Sequence, residues 1–203
     1  KASGLYEALF SGVSLPPPAR TALEYLQVIQ SDPDLAGLEV ELATGDGREF
    51  RLRGSVDALR GEYDFILLDT PPSLGLLAVN ALTAADSVLV PIQCEYFALE
   101  GLGAFLGTLD RIRAALNPKV ALEGVLLTMA DERTNLSQQV SADVRAHFGD
   151  QVFKTTIPRS IRLAEAPSFG KPVLLYDIKS RASECYLSLA REVLNRAEKG
   201  VNP

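Results

Sequence analysis

Four short apolar runs constrain the fold of this chain more than any other feature. They lie at residues 65–68, 87–92, 124–129 and 152–157, and none alternates apolar with polar residues. A strand with one wet face must alternate, because successive side chains point to opposite faces. Runs without alternation read as strands buried on both faces, the mark of a parallel sheet covered by helices. Helical repeats fill the chain between and after them. Leu99, Leu102, Phe105, Leu109, Ile112 and Leu116 recur at three and four, and Leu136, Val140, Val144 and Phe148 at four. Ala182, Tyr186, Leu189, Ala190 and Val193 predict a further apolar stripe. This alternation predicts an α/β fold with a doubly wound, mostly parallel sheet flanked by helices. Ligands of such sheets bind beyond the carboxyl ends of the strands, so the residues after each run are where chemistry is sought.

The first sixty residues have a mixed pattern. A short helix is expected at 5–10, a stiff loop at Pro16, Pro17 and Pro18, a short strand at 26–29 and a helical turn at 35–42. The length of 203 residues suits one domain over 1–203, and 47% hydrophobic residues exclude a disordered chain. A net charge of −6 excludes a uniformly basic surface, so any nucleic-acid contact must come from a local cluster. Cys94 and Cys185 form no Cys-x-x-Cys, which fits a reducing, cytoplasmic compartment and two plain thiols. No apolar run is long enough to span a bilayer, and the N-terminus shows no signal pattern. His147 stands without a second histidine, so it reads as structural.

The run at 65–68 ends in Asp69, followed by Thr70 and the stiff pair Pro71-Pro72. A carboxylate delivered to a sheet edge suits Mg²⁺, which keeps several waters and takes one or two carboxylates plus phosphate oxygens. The other reading of Asp69 is a cap for the next helix. Gly101, Gly103 and Gly107 mimic a dinucleotide fingerprint but fall inside a helical pattern, where close helix packing is the expectation. Gly170-Lys171 mimics a phosphate loop, yet Glu165 and Pro172 stand where that motif needs Gly and Ser or Thr. From Arg159 to Arg181 five basic residues face two acidic ones, a local positive excess that could also be a solvated face.

Several segments in order carry a family resemblance. Asp69-Thr70-Pro71-Pro72-Ser73-Leu74-Gly75 resembles the Walker B and switch II segment of the ParA/Soj partition ATPases. Pro91-Ile92-Gln93-Cys94-Glu95-Tyr96-Phe97-Ala98-Leu99-Glu100-Gly101 resembles the family's next strand and turn. So do Glu123 to Met129 with Arg133-Thr134-Asn135, and Ile157-Pro158-Arg159 with Arg162 and the stretch from Glu165 to Pro172. The resemblance covers nearly everything from Tyr63 onward. The family's Gly-rich phosphate loop, with two lysines, and its switch I Asp have no match here, so no catalytic residue is assigned. A P-loop NTPase type of sheet lacking its first strands is the expectation.

The resemblance implies that Asp69 holds Mg²⁺ through water and that Met129, Pro158 and Arg159 line an adenine pocket. It implies that Arg133 and Arg162 contact DNA. The parent would be an ATP- and Mg²⁺-dependent chromosome or plasmid partition protein. It would bind DNA non-specifically as an ATP dimer, respond to a ParB-type partner and work in the cytoplasm on the nucleoid. The present chain is expected to hold no nucleotide tightly and to lack ATPase activity. A MinD-like cell-division ATPase and a non-catalytic interaction module are the alternatives. The polar tail at 195–203 offers no membrane-binding helix, which counts against the first. With two strands missing beside residues 65–68, that run is expected to pair with residues 88–92, to exchange a segment with a second copy, or to meet a segment outside this sequence; exchange is the favoured outcome.

Overall fold

The computed structural model describes residues 4–42 and 45–198, so residues 199–203 of the polar tail lie outside it. Its contacts divide the chain into two compact units, Lys1–Asp86 with Ile112–Pro118, and Ser87–Arg111 with Lys119–Pro203.

The first unit begins with α1 (Leu5–Ser11), then a two-residue antiparallel ribbon of β1 (Ala19–Arg20) and β2 (Gln27–Val28). A 3₁₀ turn leads into α2 (Leu38–Glu41), and α3 (Arg53–Leu59) and α4 (Leu76–Ala84) follow. The helix expected at 5–10 and the turn at 35–42 both form. Leu9, Leu38 and Leu42 make a core against which Leu5, Leu52, Leu76 and Leu77 pack. Two buried asparagines fix α4. Asn80 Oδ1 accepts from the Leu52 N–H at 3.1 Å while its Nδ2 donates to the Arg48 and Leu76 carbonyls. Asn117 Nδ2 donates to the carbonyls of Leu82, Thr83 and Ala85 at 2.8–3.1 Å, satisfying groups that a helix C-terminus leaves orphaned.

The strand expected at 65–68 does not form. These residues join no sheet, and Phe65 and Leu67 are 50% and 88% exposed. An apolar run becomes a strand only when a ladder partner takes up its N–H and C=O groups, and none does so among the described residues. The pairing with residues 88–92 is likewise not formed.

The second unit carries the other three apolar runs as a parallel sheet, in the order β3 (Ser87–Gln93), β4 (Ala121–Ala130) and β5 (Val152–Pro158). Helices cover both faces. Leu102 of α5 (Ala98–Ala115) and Val140 and Val144 of α6 (Asn135–Phe148) pack on Val90, Val125, Leu127 and Val152. On the opposite face Leu189, Val193 and Cys185 of α9 (Arg181–Glu198) and Leu163 of α7 (Ile161–Glu165) pack near Leu126, Phe153 and Ile157. A short α8 (Val173–Tyr176) precedes α9. Burial of both faces is what removed alternation from the sequence. Of the stripe expected on α9, Ala182, Leu189 and Val193 face the core and Cys185 joins them, whereas Tyr186 is 39% exposed.

Side chains close the outer edge of β5. Glu192 accepts from the Lys154 and Thr155 N–H groups at 2.7 and 3.0 Å, and Arg145 donates to the Phe153 carbonyl at 3.0 Å. Occupied edge groups cannot template pairing with another chain. Between β3 and β4 the register slips: Val88 sits opposite Leu122, but Leu89 sits opposite Gly124. The bulged Glu123 carbonyl accepts from Arg196, whose guanidinium lies 4.0 Å from the Phe153 ring centroid. Among the described residues no helix is long and apolar enough to cross a membrane.

Candidate nucleotide pocket and arginine face

The carboxyl ends of the three parallel strands are tied to one another in the second unit. The Cys94 N–H donates to the Thr128 carbonyl at 3.0 Å, Thr128 Oγ1 donates to the Ile92 carbonyl at 3.1 Å, and the Arg159 N–H donates to the Ala130 carbonyl at 2.9 Å. Beyond these ends opens a cavity of about 950 Å³, within the range of small-molecule sites. Met129 and Arg159 both line it, with Gln93, Tyr96, Phe97 and Leu136. Pro158 ends β5 immediately before Arg159 but does not line the cavity.

Met129 has φ +52°, and among the described residues it is the one non-glycine in the left-handed region. That conformation costs about 1–3 kcal/mol, and such strain clusters at binding sites. It turns the backbone at the end of β4, beside the cavity. The Arg159 guanidinium is held by Glu95 at 3.0 Å. Tyr96 and Phe97 meet edge to face at 5.0 Å and are largely exposed. Glu95, Tyr96 and Phe97 carried the resemblance to the family's strand and turn but were given no site role from the sequence, although they follow an apolar run where ligands are sought. Cys94 is buried beside them with its Sγ 3.5 Å from Ser141 Oγ, as a plain core thiol should be.

Ion pairs gather the arginines. Arg133 grips Asp131 with Nε and Nη2 at 2.8 and 2.7 Å while remaining 86% exposed. Arg162 reaches Glu165 at 3.1 Å and Asp177 at 3.3 Å. Arg181, at the start of α9, binds Glu132 at 2.6 Å. Glu132 thus ties the Arg133 loop to the start of α9, and Asp177 ties Arg162 to the turn just before it, so Arg133, Arg162 and Arg181 flank one end of one helix. Glu165 and Asp177 are the two acidic residues of the 159–181 stretch, whereas Asp131 and Glu132 lie outside it.

The Arg133 guanidinium, bonded to the Asp131 carboxylate, holds that carboxyl down at about 2. A depressed carboxylate keeps its favourable pairing above the unfolded value and loses it as pH falls through the folded one. The pair is therefore expected to stay intact from pH 8 down to about pH 2. A ¹³C-detected titration of the Asp131 carboxyl checks this; a midpoint near 4 would show that the pair does not persist in solution.

Asp69 lies in the first unit and is exposed. Among the described residues no three metal-ligating side chains cluster. A lone exposed carboxylate fits a cation that keeps its waters and takes its other ligands from phosphate. Gly170, at φ +60°, ends a 3₁₀ turn, so Gly170-Lys171 is no phosphate loop. Gly101, Gly103 and Gly107 lie within α5 as expected. They do not serve close packing, however, since a Cβ on any of them would meet nothing within 4 Å. His147 lies in the last turn of α6, and its ring and that of Phe148 meet edge to face at 4.7 Å.

A family model described as an AAA domain matches residues 3–122. The chain is 56% identical over 176 residues to the chromosome partitioning protein ParA of Myxococcus xanthus (strain DK1622), covering 87% of this chain and 62% of that protein. It is 54% identical over 173 residues to the sporulation initiation inhibitor protein Soj of Bacillus subtilis (strain 168), covering 85% and 68%. Among solved structures it resembles cobyrinic acid a,c-diamide synthase from Mycobacterium smegmatis with bound ATP analog and magnesium. That match has a TM-score of 0.80 at 33% identity and covers 98% of this chain and 74% of the other. The chain therefore spans only about two thirds of the length of the relatives it matches.

Proposed function

Because the chain belongs to the ParA/Soj family of partitioning ATPases, we propose that the whole protein binds and hydrolyses ATP with Mg²⁺ and segregates DNA. Met129 and Arg159 take the adenine in the cavity beyond the sheet, with Pro158 fixing the turn into Arg159. Asp69 holds Mg²⁺ through water. Arg133 and Arg162 contact DNA phosphates, which carry no sequence information. The ATP-bound protein dimerises, acts on the nucleoid in the cytoplasm and responds to a ParB-type partner. The two units are read as one ParA-like domain, a reading supported by a family match that includes parts of both.

The single observation carrying this reading is the cavity that joins Met129 and Arg159 at the carboxyl end of a parallel sheet. A guanidinium beside a nucleobase face contributes about 0.5–1 kcal/mol at an exposed site. Bound ATP supplies the phosphoryl group; Met129 and Arg159 orient its base, and the role proposed for Asp69 is to hold the cation. The 203 residues hold no Gly-x-x-x-x-Gly-Lys-Ser/Thr, so nothing in them cradles the β- and γ-phosphates, and the chain alone is proposed not to turn over ATP.

The test is a fluorescent ATP analogue titrated into the whole protein. Arg159→Ala is expected to weaken binding roughly fivefold or less, as loss of one such contact does. Unchanged affinity would remove Arg159 from the site.

A further inference from the structure

Helix α4 begins directly after the segment that carries Asp69, yet nothing at its own start caps it. Gly75 occupies the N-cap position without a side chain, and the first turn contains no acidic residue. The acceptor comes from elsewhere: Glu39, on α2, takes the Leu77 N–H at 3.3 Å. A Cβ on Gly75 would collide with both Glu39 carboxylate oxygens. Gly75 sits at φ −80°, a value open to any residue, so its backbone does not require glycine. The space beside it is taken by the end of the Glu39 side chain, which a Cβ there would displace. Apolar contact supports the same docking, since Leu76 and Leu77 pack against Leu38 and Leu42 on either side of Glu39.

We propose that Glu39 is a positioning residue: it caps α4 from outside the helix and thereby fixes residues 69–75, including Asp69. The inference rests on the proposed role of Asp69 at a Mg²⁺–nucleotide. Those seven residues contain Pro71 and Pro72 and form no regular element, so the ends decide where the segment lies. At its far end Glu39 adds a polar anchor to a helix start that Leu76 and Leu77 already seat by apolar packing. A carboxylate at a helix N-terminus also meets the positive end of the helix dipole.

The test compares Glu39→Ala, Glu39→Gln, Gly75→Ala and the double variant Glu39→Ala/Gly75→Ala in the whole protein. Glutamine keeps one acceptor oxygen, whereas the methyl of Gly75→Ala evicts an intact carboxylate. Amide exchange at Leu77 is expected to rise about fivefold in Glu39→Ala and Gly75→Ala, the size of a lost cap. Glutamine should restore most of the protection, and the double variant should be no worse than either single. The amide resonances of Thr70, Ser73 and Leu74 should shift the same way in both alanine variants. The Mg²⁺ concentration for half-maximal ATP turnover should rise several-fold with them and recover in Glu39→Gln.

Additive exchange effects would show that Glu39 and Gly75 do not share one contact and would overturn the cap. Resonances of Thr70, Ser73 and Leu74 that stay in place while Leu77 moves would overturn the positioning role. A wild-type protein without Mg²⁺-dependent turnover would defeat the proposed function instead, while the resonances still decide the role of Glu39.

Discussion

Replacing Gly124 by alanine is expected to destabilise the protein by about 4 kcal/mol, from strain at a disfavoured φ plus overpacking. Gly124 follows the bulge in β4 at φ +156°, where L side chains rarely go. A Cβ there would lie 2.7 Å from Arg196 Nη1, 2.7 Å from Phe153 Cε2 and 2.8 Å from the Gln151 carbonyl oxygen. The guanidinium could swing aside, but it would then give up its bond to the bulged Glu123 carbonyl and its place over Phe153. Phe153 is fully buried and cannot move, and the Gln151 oxygen is backbone. One methyl therefore strikes the sheet, the core and the docking of α9 together. Urea unfolding of both proteins measures the effect as a lowered midpoint at unchanged slope. A loss under 1 kcal/mol would mean that the bulge relaxes freely.

Much of the second unit was legible because its physics is two-sided. Val90, Val125, Leu127 and Val152 are covered by α5 and α6, Leu126 and Phe153 by α9 and its neighbours, and this double burial wrote unbroken apolar runs into the sequence. The run at 65–68 looks the same on paper but forms no strand, because four apolar residues say nothing about whether a ladder partner is present. Periodicity located α9 and placed Ala182, Leu189 and Val193 on its buried face, but it chose Tyr186 over Cys185, since the two differ by one position and both suit an apolar stripe. Met129 and Arg159 were reached through family resemblance, and the cavity then joined them. The left-handed turn at Met129 left no mark in the sequence, because it is imposed by the chain around it. Nor did the partners of the arginines, since charge counting cannot tell which carboxylate a long, flexible side chain will meet. Glu39 escaped notice for a related reason: a cap normally lies next to its helix, and this one is 38 residues away from Leu77.

The central proposal is that Arg133 and Arg162 present a sequence-indifferent DNA face in an ATP-dependent partition protein. Each guanidinium is already paired in the free protein, Arg133 with Asp131 and Arg162 with Glu165 and Asp177, so DNA must compete with those carboxylates. The exchange swaps one charge-assisted pair for another, so the net drive to DNA comes from the counterions that its phosphates release. The most direct test is fluorescence anisotropy of two unrelated duplexes with the whole protein, ATP and Mg²⁺, across a series of salt concentrations. Wild-type protein should bind both duplexes equally, with affinity falling steeply as salt rises. Arg133→Ala and Arg162→Ala should each lower affinity about tenfold on both duplexes, and each should reduce the log–log salt slope by about one. Affinities that differ between the duplexes, or variants that keep the wild-type affinity and slope, would contradict it.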